Sequence, residues 1–201
     1  MPITGGKSAA PGPLSGEHLA AIAAARLRGK KVRRAANVAA FSGWTMAFFA
    51  AITLLGGLWG DVVSIVLGVA LGIVTVNELR GASKIRRFDP SGAKLLGWNQ
   101  IGLGVVLVAY GVFSLVMMLR NPAAAVLGGQ SSGDAQVDQM MTEMVGGLAT
   151  MVAYGLYGGV AIFGVIGPGL TAWYYFSREK VVRKFVEETP GWVVGAMRAV
   201  G

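Results

Sequence analysis

Glu78 is the one carboxylate placed at the inner edge of an apolar stretch in this sequence, and an amide, Asn77, precedes it. Beyond a basic connector a second polar pair, Asn99-Gln100, leads into another apolar stretch. A carboxylate accepts at two oxygens, and each primary amide carries two N–H donors. Such a set suits a polar clamp, in which Glu78 or Asn77 meets Asn99 or Gln100 with a connector arginine nearby. The bland alternative leaves each amide facing lipid headgroups. A third use is acid–base work on a lipid or quinone, for which Glu78 is the only credible acid.

Little else in the chain is equipped for catalysis. There is no cysteine, which removes disulfides, thiolate metal sites, iron–sulfur ligation and thiol nucleophiles. The one histidine, His18, lies in a polar amino-terminal tail, so neither haem nor a multi-histidine metal site is expected. Within the apolar runs neither an H-E-x-x-H motif nor a pair of carboxylates is present, so intramembrane hydrolysis lacks its parts. No catalytic residue, cofactor or metal is therefore expected.

The elements that must hold the polar pairs are membrane spans. Of the 201 residues, 54% are hydrophobic and 14% charged, against about 25% charged in soluble domains. Mean hydropathy is +0.58. Four apolar runs stand out, and a helix crossing the hydrocarbon core needs about 20 residues. The expected spans cover about 38–59, 62–79, 98–119 and 150–176. The second reaches full length only if its helix continues through Asn77 and Glu78. The fold expected is all-α: a polytopic membrane protein of four transmembrane helices in an antiparallel bundle occupying 35–176. A basic tail (1–34) precedes it and an amphipathic tail (177–201) follows. The first run exceeds the usual signal-peptide core of about 7–15 residues and is read as a retained anchor.

Charge sets the expected orientation. Of the 18 Lys and Arg residues, all but Arg120 lie before the first span, in the connector 80–97, or after the fourth span. Positive residues concentrate on the cytoplasmic side, so both termini and the connector are expected there. The net charge of +8 then matches anionic lipid headgroups on that side rather than nucleic acid. The alanine-, glycine-, valine- and arginine-rich composition suggests a bacterial inner membrane.

Several local features qualify this frame. Gly60-Asp61 makes a tight turn between the first two spans. Asn121-Pro122, Gly128-Gly129 and Ser131-Ser132-Gly133 lie in an outer loop, 120–149. In that loop Val137, Met140, Met141, Met144 and Leu148 form one apolar helical face, expected to lie on the outer surface ahead of span four. After span four, Val181, Val182, Phe185 and Val186 form another, ended by Thr189-Pro190-Gly191. The basic run Ala25–Arg34 has no evident apolar stripe. Asp89-Pro90 forms a helix start, aspartate at the cap and proline in the first position. Asn99 and Gln100 would then sit two to three turns inside the third helix.

Gly167, Pro168 and Gly169 form a candidate helix break, read as a kink or, alternatively, as a ligand site. Gly56/Gly60, Gly68/Gly72 and Gly155/Gly159 fit G-x-x-x-G and suggest helix packing. Hydroxyls in the spans, such as Thr45, Thr53 and Thr150, are expected to bond within their own helices or to a neighbour. The functional expectation is a non-catalytic accessory, scaffold or assembly subunit associating with other membrane subunits or with itself. An oligomeric small transporter, channel or pore is the alternative.

Overall fold

The computed structural model of the chain describes residues 15–120 and 134–200. Every regular element among them is helical: α1 (Gly16–Arg28), α2 (Lys30–Gly57), α3 (Val62–Arg86), α4 (Pro90–Arg120), α5 (Ala135–Val152), α6 (Gly159–Glu188) and α7 (Gly191–Val200). A π-helical turn, Ala153–Gly158, joins α5 to α6 without a gap. Lys7, Asn121-Pro122, Gly128-Gly129, Ser131-Ser132-Gly133 and the Met141 side chain lie outside the described residues.

Four stretches are long and apolar enough to cross a membrane: Lys30–Gly57, Val62–Arg86, Pro90–Arg120 and Gln136–Glu188. Their most apolar windows reach mean hydropathies of 1.7–2.3, yet only 12–28% of those residues are buried inside the protein. Phe41, Trp44, Phe48, Ile73, Val105 and Phe163 all point outward. A surface this apolar and this uncovered needs an apolar surrounding, and helices with internally paired backbones are what a bilayer accepts.

The helices run past the expected spans. With α3 continuing to Arg86 and α4 starting at Pro90, the expected connector shrinks to residues 87–89. This corner is built tightly. Asp89 N–H donates to the Lys84 carbonyl at 3.0 Å and Phe88 N–H to that of Ile85 at 2.9 Å, the paired bonds of a Schellman cap. Glycine usually holds the left-handed position of that cap. Here Phe88 holds it, at φ 55°, a conformation costing an L-residue about 1–2 kcal/mol. The ring offsets that cost by being buried and stacking on Phe185 at 4.8 Å between centroids. Asp89 then caps α4 by accepting from Ser91 N–H at 2.9 Å. Phe88→Gly is accordingly expected to destabilise less than Phe88→Ala, by about 1 kcal/mol. Thermal unfolding of both variants in detergent reads the difference, and equal losses would remove the left-handed backbone from the explanation.

At the other end of α3, the Asp61 carboxylate accepts from Val63 N–H at 3.0 Å and from the Ser64 hydroxyl. That hydroxyl, more than the backbone, holds the carboxyl below its ordinary range.

The larger packed core lies at the basic end. It joins Ala25 of α1, Val32 and Ala36 of α2, Ile85 of α3, Leu96 of α4, Phe185 of α6 and Met197 of α7. The basic amino-terminal run therefore does possess a buried stripe: Ala25, Gly29, Val32 and Ala36. Its members are mostly too small to stand out among the arginines, but their spacing is helical. The apolar face around Val182 and Phe185 packs into the same core. So does α7, on which the Trp192 ring meets His18 edge-on at 4.9 Å. A smaller cluster of Ala50, Leu71, Val74 and Leu103 lies toward the middle of the spans.

Glycines bring the spans together, though mostly not the expected ones. A Cβ on Gly43 would meet Leu79 at 2.8 Å and one on Gly68 would meet Leu54 at 2.6 Å, so α2 and α3 touch closely there. Along α4, Gly97, Gly104 and Gly111 face Phe176, Gly164 and Tyr157 respectively, each with less than 3 Å to spare for a Cβ. That stripe repeats every seventh residue, the interval at which two slightly inclined helices meet again. Of the G-x-x-x-G glycines only Gly68 sits at such a contact. Gly56 touches Ser64 at an ordinary 3.6 Å, and Gly60 makes a turn at φ 88°. Gly72, Gly155 and Gly159 face open space. The four-residue pattern missed because the close glycines of α4 recur every seventh residue rather than every fourth.

Candidate functional site

Glu78 sits seventeen positions into α3 (from Val62), about 12 Å along the helix from Arg86. Its side chain is fully buried. α4 follows α3 after a three-residue corner and packs against it, which sets Asn99 and Gln100 opposite Glu78. Asn99 Nδ2 donates to Glu78 Oε2 at 2.9 Å and to the Val74 carbonyl at 2.9 Å. Gln100 Nε2 donates to Glu78 Oε1 at 3.0 Å. Tyr175 of α6 adds its hydroxyl to the same oxygen at 3.4 Å, and Ser42 of α2 lies within interaction distance of the carboxylate. Close approach at Gly43, whose added Cβ would lie 3.4 Å from that of Glu78, lets α2 come this near.

Each spanning helix thus contributes to one node. Asn99, Gln100 and Tyr175 are buried along with Glu78. Asn77 is not part of the node: it is half-buried and makes no side-chain hydrogen bond among the described residues. Helical geometry explains this, since adjacent residues point about 100° apart and only one can face α4. No arginine from the corner joins either; the ion pairs among the described residues are Arg183–Glu179 and Lys184–Glu188. Tyr175 and Ser42 were not anticipated. Tyr175 reads in sequence as part of an interfacial aromatic belt, Trp173-Tyr174-Tyr175, and only the rotation of α6 separates the exposed Trp173 from the buried Tyr175.

The candidate break lies within a continuous helix. α6 runs unbroken through Pro168, which is buried. Proline leaves the carbonyl four residues earlier, that of Gly164, without its helical donor. Gly104 of α4 packs directly against that oxygen, and a Cβ there would lie only 2.7 Å from it. The contact covers the freed carbonyl with a Cα–H group. Gly167 faces Phe163 of its own helix, and Gly169 faces open space. The cleft beside Pro168, about 550 Å³, is lined mainly by Ile101, Val105, Val108, Val112 and Val165, with Gln100 at one end.

Five span threonines are occupied locally. Thr45, Thr53, Thr75, Thr150 and Thr171 each donate to the carbonyl four residues earlier, at 2.8–3.0 Å. Among the described residues, no three His, Asp or Glu side chains come together in a group fit to hold a metal.

Chemically, the node can join helices more readily than it can turn over a substrate. Both Glu78 oxygens are engaged, and no part of its side chain is open to a reacting partner. Comparison with protein-family models, curated proteins and solved structures returns no match.

Proposed function

We propose that this chain is a non-catalytic integral membrane protein, an accessory, scaffold or assembly subunit built around a polar lock. The observation that carries this reading is the sealed environment of Glu78. It is the one acid within the apolar runs 38–59, 62–79, 98–119 and 150–176, and its oxygens meet donors from α4 and α6 instead of a cavity. A proton relay or catalytic acid needs a path to its substrate. A lock needs only complementary groups on adjacent helices.

In this reading the spans alternate up and down as an antiparallel bundle. The positive-inside rule puts both termini and the α3–α4 corner on the cytoplasmic side. The membrane is the inner membrane of a bacterium, and anionic headgroups there meet the basic end. Other membrane subunits, or further copies of this chain, cover part of the exposed surface. Support comes from α5, whose Met140, Met144 and Leu148 face outward uncovered. The apolar lining of the Pro168 cleft suits lipid better than a hydrated path.

Purification of the full chain in mild detergent, followed by mass spectrometry, tests the proposal. A stoichiometric membrane partner is expected. A homo-oligomer that carries solute flux in liposomes would overturn it in favour of a transporter or pore. Reporter fusions at Ser131 and at the carboxy terminus check the topology independently, and an external carboxy terminus would contradict it.

A further inference from the structure

α2 and α6 touch only sparsely, and a groove of about 730 Å³ opens between them near the basic end. That volume falls within the range of about 300–1,000 Å³ typical of small-molecule sites. Lys31, Arg34 and Arg178 stand at its charged end, and Val38, Leu170 and Tyr174 line the remainder. None of these three cations has an acidic partner among the described residues. Glu179, the acid next to Arg178, is already paired with Arg183.

Arg178 is held in a particular way. Its guanidinium lies over the Tyr174 ring, 4.6 Å from the centroid. Its Nε is enclosed by protein atoms and has no hydrogen-bond partner. The Tyr174 contact fixes the plane of the guanidinium, and a planar fork of donors suits the oxygens of a phosphate.

The groove is also graded along its length. Leu170 precedes Arg178 by two turns of α6, about 12 Å, and Val38 follows Arg34 by one turn of α2. Charge at one end therefore passes into an apolar wall toward the middle of the spans. The exposed Trp173 beside the groove belongs to a residue type concentrated at the membrane interface.

We propose that this groove binds one anionic phospholipid, with its phosphate among Lys31, Arg34 and Arg178 and an acyl chain along Val38 and Leu170. Free phosphate would satisfy the cations but leave the apolar wall unused. The inference rests on reading these helices as membrane spans. It is independent of the accessory role, because lipid binding is measured on the isolated protein.

The test is native mass spectrometry of the delipidated full chain in detergent, titrated with phosphatidylglycerol or phosphatidylcholine. Phosphatidylglycerol is expected to bind at least about tenfold more tightly than phosphatidylcholine. The double variant Arg34→Gln/Arg178→Gln is expected to lose about 30-fold in phosphatidylglycerol affinity, since each basic group near a lipid surface contributes roughly a factor of five. Arg178→Lys should recover part of that loss, having the charge but not the fork. Arg26→Gln/Arg86→Gln, at the same end but outside the groove, should bind like the parent chain. Inorganic phosphate in large excess should not displace the lipid. Equal affinity for both lipids would overturn the proposal. So would an equal loss in the Arg26/Arg86 variant, or displacement by inorganic phosphate.

Discussion

Glu78→Ala is expected to destabilise the bundle by about 2–6 kcal/mol, because it takes the shared acceptor away from buried donors on two other helices. The size comes from what remains behind. Asn99 Nδ2 would keep the Val74 carbonyl at 2.9 Å, but Gln100 and Tyr175 would lose the acceptor that they share. Each buried donor left without an acceptor costs about 1–3 kcal/mol, and a cavity forms where the side chain stood. Pairwise hydrogen bonds between membrane helices average only about 0.6 kcal/mol, so a loss of this order requires the node to act as a unit. Glu78→Gln keeps the shape and one acceptor but turns an N–H toward a neighbouring amide, and an intermediate loss is expected. Tyr175→Phe removes only the 3.4 Å contact and should cost least. Reversible unfolding in mixed micelles ranks the three. A Glu78→Ala loss below about 1 kcal/mol would mean that no such unit exists.

The second large effect belongs to Gly104. Gly104→Ala is expected to cost about 1–3 kcal/mol, and Gly104→Leu at least the upper end of that range. The added Cβ would meet the Gly164 backbone oxygen at 2.7 Å and Pro168 at 3.4 Å. No rotamer change relieves a clash with backbone, so α4 and α6 must separate, and Gly164 O loses the group that covers it. Gly72→Ala and Gly159→Ala provide the contrast, because nothing lies within 4 Å of either position. There the substitution should be neutral or stabilising by up to about 1 kcal/mol, through reduced freedom of the unfolded chain. The same chemical change thus takes opposite signs at positions that share the same residue type. Equal effects at Gly104 and Gly72 would show that the α4–α6 approach does not depend on glycine.

The contrast between Gly104 and Gly72 also marks what the sequence can disclose. Apolar length found the four helices long and apolar enough to cross a membrane, and Asp89-Pro90 moved Asn99 and Gln100 into a helix interior because capping chemistry is local. Span length likewise drew Glu78 into its helix. Which face each residue presents is decided by packing between helices, and that left no local signature. Asn77 and Glu78 are equivalent in sequence until α4 selects one of them. Tyr175 could be told from Tyr174 only by the rotation of α6. The core at the basic end was hidden for a related reason: Ala25, Val32 and Ala36 are small, and charged neighbours dominate any average over that segment. Phe88 shows the converse case, since its stacking on Phe185 overrides the preference for glycine in a helix cap.

The claim that Glu78 locks the helices is tested most directly by a double-mutant cycle between Glu78→Ala and Asn99→Ala, read by reversible unfolding in micelles. Each single variant leaves the other partner buried and underused, whereas the double variant removes both. The double variant should therefore be less destabilised than the sum of the singles, by about 1–3 kcal/mol. Additivity within about 0.3–0.5 kcal/mol would contradict the lock.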